Sequence, residues 1–132
     1  MDRVQGGKDE SVTDVGPLDI SQFSGPGYRG CRMLGEIDFT STGPVQATLN
    51  GMILPGGGTV VVDLSGVDFI DSSGLGALVQ ANRIAAERGN RFVVVASPPV
   101  RRLLTVTALD TVLDTYDDLA AAEAAILAGQ PS

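Results

Sequence analysis

Two hydrophobic rhythms alternate through the middle of the chain. Thr59 to Leu64 (TVVVDL) is β-branched nearly throughout, the composition of a strand buried on both faces. From Leu75 to Arg88 the apolar residues recur every three or four positions. Ala77, Leu78, Ala81, Ile84 and Ala85 make a core-facing side, and Gly76, Gln80, Arg83 and Glu87 a polar one. Gly89-Asn90 ends that helix. Phe92 to Ala96 (FVVVA) then reads as a second buried strand. A strand–helix–strand unit of this kind predicts a parallel pair joined by a right-handed crossover.

The flanks are weaker but readable. Leu18 to Phe23 and Tyr28 to Leu34 predict a hairpin around the turn Ser24-Gly25-Pro26-Gly27. Thr40, Ser41 and Thr42 are N-cap candidates ahead of Pro44, and Val45, Leu49, Met52 and Ile53 space out a helical face that ends near Pro55 and Gly56–Gly58. Ser97 followed by Pro98 predicts another helix start, with Val100, Leu103, Leu104 and Thr107 on its apolar side. Thr111 to Thr115 is expected as a short strand. Asp117 and Asp118 open a last helix, where acids suit the positive end of the helix dipole. Residues 1–16 lack any period and are expected to be a disordered lead. Residues 17–128 are expected to form one domain and 129–132 a tail. The predicted class is α/β, a single domain whose mixed sheet packs against helices.

Composition removes several functions. The chain has 132 residues and 43% apolar content, enough for one buried core. The longest apolar runs, such as Phe92 to Ala96, are five residues, against about 20 for a membrane span. No apolar stretch near the N-terminus resembles a signal sequence, so a cytoplasmic location is expected. The net charge is −7, with no arginine stripe, which argues against nucleic acid or an anionic membrane as partner. There is no histidine, so a Ser-His-Asp arrangement and histidine metal ligation are ruled out. The single cysteine, Cys31, can form neither an internal disulfide nor a thiolate zinc site, and is expected to be a small buried apolar residue. No cofactor or metal is expected.

The chemistry concentrates at FIDSSGLGAL, residues 69–78, where the strand gives way to the helix. Four readings compete there. Asp71, Ser72 or Ser73 caps the helix, as most such clusters do. A serine acts as a nucleophile, but no histidine is available and the one lysine, Lys8, lies in the lead. Gly74-Leu75-Gly76 holds a nucleotide, but Val79 stands where the longer glycine motif needs its third glycine. Or a serine receives phosphate from another protein.

GVDFIDSSGLGAL at 66–78, with VVVDLS before it, resembles the core motif of STAS domains, and in particular of bacterial anti-anti-sigma factors. GEID at 35–38 is similar to that family's GELD-type turn, and SPPVRRLL, ALDTVL and YDDLAAA resemble its C-terminal half. The likeness spans about residues 28–127. It implies that the hydroxyl directly after the aspartate, Ser72, is the phosphoacceptor and that Ser73 is a helix cap. It implies a partner that is both an anti-sigma factor and a serine kinase. The unmodified domain would bind that partner and free the sigma factor, phosphorylation would end binding, and a metal-dependent serine phosphatase would reset the cycle. The expected contact set is Asp38, Asp71, Ser72, Ser73, Gly74, Gly76, Gln80 and Arg83. On this reading the chain is a binding module and not an enzyme. The alternatives are a STAS module that senses a small ligand or serves another signalling assembly, and a small enzyme with an unrecognised pocket.

Overall fold

A computed structural model describes residues 12–129. One six-stranded sheet runs through it: β1 (Val12–Val15), β2 (Leu18–Gly25), β3 (Tyr28–Ile37), β4 (Gly58–Ile70), β5 (Asn90–Ala96) and β6 (Asp114–Tyr116). The strands lie side by side in chain order. β1, β2 and β3 pair antiparallel, and β3 through β6 pair parallel. The mixed sheet and the parallel β4–β5 pair are those the sequence predicts. Three crossovers carry helices: α1 (Thr42–Met52), α2 (Ser72–Glu87) and α3 (Pro98–Val106). A last helix, α4 (Leu119–Ala128), follows β6.

Alternation along the strands sorts side chains onto two faces. Val60, Val62 and Leu64 of β4 join Phe92 and Val94 of β5 beneath α1, α2 and α3, which contribute Val45, Leu49, Leu75, Leu78, Ala81, Val100 and Leu104 to the same cluster. Val61, Val93 and Val95 point the other way and meet Tyr28 and Ala122 under α4. Tyr28 Oη donates to Glu123 Oε2 at 2.6 Å and ties α4 to β3. Cys31 is fully buried in the larger cluster, and burial pushes its thiol up to about 12, so it behaves as the apolar residue expected.

The helix ends follow local chemistry. Ser97 Oγ accepts from the Val100 N–H and donates to the Val67 carbonyl at 2.6 Å. Asp118 Oδ1 accepts from the Ala121 N–H at 2.7 Å. Ser41 occupies the N-cap position of α1 but makes no side-chain cap, because its hydroxyl turns back onto Asp38. At the other end of α1, Arg29 donates to the Met52 carbonyl and Arg88 to the Ile53 carbonyl, placing two cations on the negative end of the dipole.

Four features differ from the sequence reading. Val12–Val15, inside the expected disordered lead, pair with β2, and residues 1–11 of that lead lie outside the described residues. The strand expected at 59–64 runs on to Ile70. Two one-residue register shifts against β3 allow this, and Asp63 is buried inside the strand, held by the Arg32 guanidinium and the Ser65 hydroxyl. The helix expected from Leu75 begins at Ser72. The strand expected at 111–115 is only Asp114–Tyr116, because residues Leu109–Thr111 form a 3-10 turn.

Gly35 is needed where it stands. Its φ is +116°, and a β-carbon there would lie 2.0 Å from the Pro17 carbonyl oxygen, whose lone pair takes the Glu36 N–H. Ala108 is the contrary case: it closes α3 at φ +61°, a left-handed conformation that favours glycine. Ala108→Gly is therefore expected to stabilise the fold by about 0.5–1 kcal/mol, the relieved left-handed strain minus the greater freedom of glycine in the unfolded chain. Urea unfolding of the two proteins, compared at equal m-value, measures it.

Candidate functional site

β4 reaches Ile70 and α2 opens at Ser72, so Asp71 is the hinge between them. Its N–H donates to the Ile37 carbonyl at 3.1 Å, which carries the β3–β4 ladder one residue further. Its carboxylate then closes the helix: Oδ1 accepts from the Ser73 N–H at 3.0 Å, the Gly74 N–H at 3.1 Å and the Ser73 hydroxyl at 2.6 Å. The Phe39 N–H lies near enough to this carboxylate to favour its charged form. The Ser73 hydroxyl and the Gly74, Ser73 and Phe39 amides all favour the charged form, and together they outweigh partial desolvation. They hold Asp71 below the usual carboxylate range. The cap is therefore Asp71. Ser73, expected to cap, is instead a donor to it, since a residue inside the first turn cannot reach back to the amides that need a partner.

A second set of bonds builds the loop between β3 and α1. Asp38 Oδ1 accepts from the Thr40 N–H at 2.9 Å and from the Thr40 hydroxyl. The Asp38 carbonyl accepts from the Ser41 N–H and hydroxyl, both at 3.0 Å, and the Asp38 N–H donates to Ser41 Oγ. Thr42 Oγ1 sits 3.2 Å from the Asp38 carbonyl and 3.1 Å from Ser73 Oγ, so one hydroxyl joins the loop to the helix start. Asp38, Asp71 and Ser73 are thus brought together through Thr42 and the loop bonds.

Ser72 is different. It occupies the first turn of α2, it is exposed, and no described residue hydrogen-bonds its hydroxyl. Along α2, Gly76, Gln80 and Arg83 are exposed on the same stripe, at the spacing expected of one helix face. Gly74 lies the other way. It is buried, and a β-carbon there would come within 2.7 Å of Ile70 Cγ1 and 2.8 Å of Ile37 Cγ2, so its place is in the packing beneath the site. A β-carbon on Gly76 would meet nothing within 4 Å, which removes packing against the sheet as the reason for that glycine.

Two features escaped the sequence reading. Phe39, in the loop, is 75% exposed, and Phe69, near the end of β4, is 48% exposed. The available signal was an aromatic standing between two turn-forming residues, Asp38 and Thr40, outside any helical or strand period. Thr42 was read only as a cap candidate, and its bond across to Ser73 depends on a contact 31 residues apart. Among the described residues no cluster of acids and cysteine is arranged to hold a metal ion, and no helix is long and apolar enough to cross a membrane.

A family profile described as "Mlab, STAS domain" matches residues 32–114. The chain belongs to the STAS domain family. An anti-sigma F factor antagonist of Paenibacillus polymyxa is 29% identical over 89 residues, covering 66% of this chain and 76% of the relative. The crystal structure of an anti-sigma factor antagonist from Mycobacterium paratuberculosis superposes with a TM-score of 0.70 at 26% identity, over 82% of this chain and 92% of that one. The unphosphorylated form of the anti-sigma factor antagonist SpoIIAA shares the fold, with a TM-score of 0.59 at 19% identity over 91% of this chain and 96% of that one.

Two substitutions separate packing from surface. Gly74→Ala is expected to cost about 1–3 kcal/mol, because the new methyl must displace two isoleucine side chains. Gly76→Ala is expected to stabilise by about 0.5–1 kcal/mol, since a helical glycine gains order and loses no space. Thermal unfolding of both variants checks the contrast. The charge on Asp71 has its own signature. Its folded pKa is depressed, so its contribution is present above the unfolded value of about 3.9 and is lost as pH falls through the lower folded value. Asp71→Asn keeps a capping oxygen but no charge, so wild type should exceed it in melting temperature at pH 7, with the gap closing in acid. A gap independent of pH would mean the carboxylate acts by geometry alone.

Proposed function

We propose that this protein is an anti-sigma factor antagonist that works by partner switching at Ser72. In its unmodified state it binds an anti-sigma factor that is also a serine kinase, and so frees the sigma factor. Transfer of phosphate to the Ser72 hydroxyl ends that binding, and a metal-dependent serine phosphatase restores it. The protein is substrate and ligand in this cycle, not catalyst.

One observation carries the reading: a single exposed and unbonded hydroxyl stands on a platform whose other polar groups are already hydrogen-bonded to one another. A kinase needs an accessible hydroxyl, and Ser72 offers one. Ser73 does not, because its oxygen is engaged by Asp71 and Thr42. Phosphorylation adds about −1.5 to −2 charges beside an ionised Asp71. The Ser73 and Gly74 amides, which would otherwise receive an anion, are occupied by Asp71. The phosphate therefore stays outward, on the stripe of Gly76, Gln80 and Arg83. A partner surface shaped for a hydroxyl must then bury a doubly charged group whose nearest cation on that stripe, Arg83, lies about three helical turns away. That costs several kcal/mol, and about 3 kcal/mol already weakens binding more than a hundredfold. The platform itself need not move. The relatives named antagonists of anti-sigma factors support the same assignment of partner.

The test is to mix the pure protein with each candidate anti-sigma factor kinase of its genome, with ADP, and measure complex formation by titration calorimetry. Wild type and Ser72→Ala are expected to bind with similar affinity. Ser72→Glu is expected to bind at least a hundredfold more weakly, and Ser72→Ala to take up no label from radioactive ATP. Equal affinity of phosphorylated and unphosphorylated protein for the partner would end this proposal.

A further inference from the structure

We infer that Phe39 is the aromatic anchor of the docked complex: its side chain inserts into an apolar pocket on the anti-sigma factor, next to that partner's ATP site, and sets which kinase the domain accepts. The inference rests on the function proposed above and extends it to a residue outside the phosphoacceptor motif.

Three observations lead there. Phe39 is 75% exposed, the most exposed aromatic among the described residues, in a chain that has four phenylalanines, two tyrosines and no tryptophan. A ring of that size left in water lowers solubility and gains nothing for the fold, which is the usual mark of an interaction anchor. The ring is also held in place from behind. The residues on either side of it are fixed by the Asp38–Thr40 and Asp38–Ser41 bonds. Little loop entropy is lost when such a ring docks.

The third observation names the occupant. Phosphoryl transfer requires the γ-phosphate to come within about 3–3.5 Å of the Ser72 oxygen. Thr42, three residues after Phe39, is bonded to Ser73, so the loop that carries the ring sits against the start of α2 and a protein that covers Ser72 lies against Phe39 as well. The partner surface there must be apolar, because the alternative is to leave the ring in water at the centre of a closed contact. A partner with a polar surface at that point would be rejected.

Phe39→Ala tests this directly, since it removes the ring and keeps the backbone amide near Asp71. The probe is the anti-sigma factor kinase that binds the wild-type protein in the titration above. Phe39→Ala should weaken binding by about tenfold to a hundredfold and raise the KM for phosphorylation of Ser72 by a similar factor, with kcat little changed. Its melting temperature should match wild type. Leu127→Ala, which removes an exposed side chain on α4 across the sheet, should bind as wild type does. Because the chain has no tryptophan, Phe39→Trp made with 5-fluorotryptophan gives a single fluorine signal from this protein, expected to shift on binding. If Phe39→Ala binds as tightly as wild type, or the fluorine signal is unmoved in the complex, the anchor is wrong and partner switching at Ser72 stands. If no anti-sigma factor kinase binds the wild type, both fall. If sedimentation shows a wild-type dimer that Phe39→Ala dissociates, the ring serves a second copy of the chain and the inference is overturned.

Discussion

The Asp71 carboxylate is the joint on which the site is built. Asp71 continues the strand ladder through its N–H, which bonds the Ile37 carbonyl, and starts the helix through its carboxylate. The end of β3, the end of β4 and the start of α2 are therefore fixed relative to one another through one residue. Such a joint does not depend on apolar burial, so it can sit at the rim of the sheet, where a partner can reach it. It also stays ionised across the physiological range, and so the rim carries a permanent negative charge beside the hydroxyl that is to be modified. The switch requires only a second negative charge added to a fixed first one.

Much of this was legible in the sequence where local chemistry decides the outcome. The β-branched runs 60–62 and 93–95 belong to strands buried on both faces, and the Ser97-Pro98 pair and Asp118 start helices as their residue types predict. The outward stripe of α2 follows from its period. What escaped depended on contacts between distant residues. The run of β4 past Leu64 to Ile70 shows only in its pairing with β3, through two register shifts. Val12–Val15 have no period of their own and become a strand only because β2 offers an edge. Ser73 and Asp71 are both good caps by type. The choice between them turns on geometry, since the capping residue must precede the amides it satisfies.

The two glycines of the GLG string show how one short motif divides its work. Gly74 faces inward and lets α2 approach Ile37 and Ile70 without a gap. Gly76 faces outward and leaves a bare patch of helix backbone on the docking stripe. The first sets the height of the helix above the sheet, and the second sets how near another surface can come to it. Residue type is identical in both, and only orientation distinguishes support from contact.

The order of the strands has a consequence for how the molecule is made. Each strand pairs only with neighbours that precede or follow it directly along the chain, so no strand has to be threaded between two already in place. The antiparallel pairings β1–β2 and β2–β3 close short loops at little entropic cost, and each parallel pairing then needs only one helical crossover. A sheet of this kind can be laid down strand by strand as the polypeptide leaves the ribosome. The groups that frame the modifiable hydroxyl all lie between Ile37 and Gly74, so they leave the ribosome before β5 and β6 do.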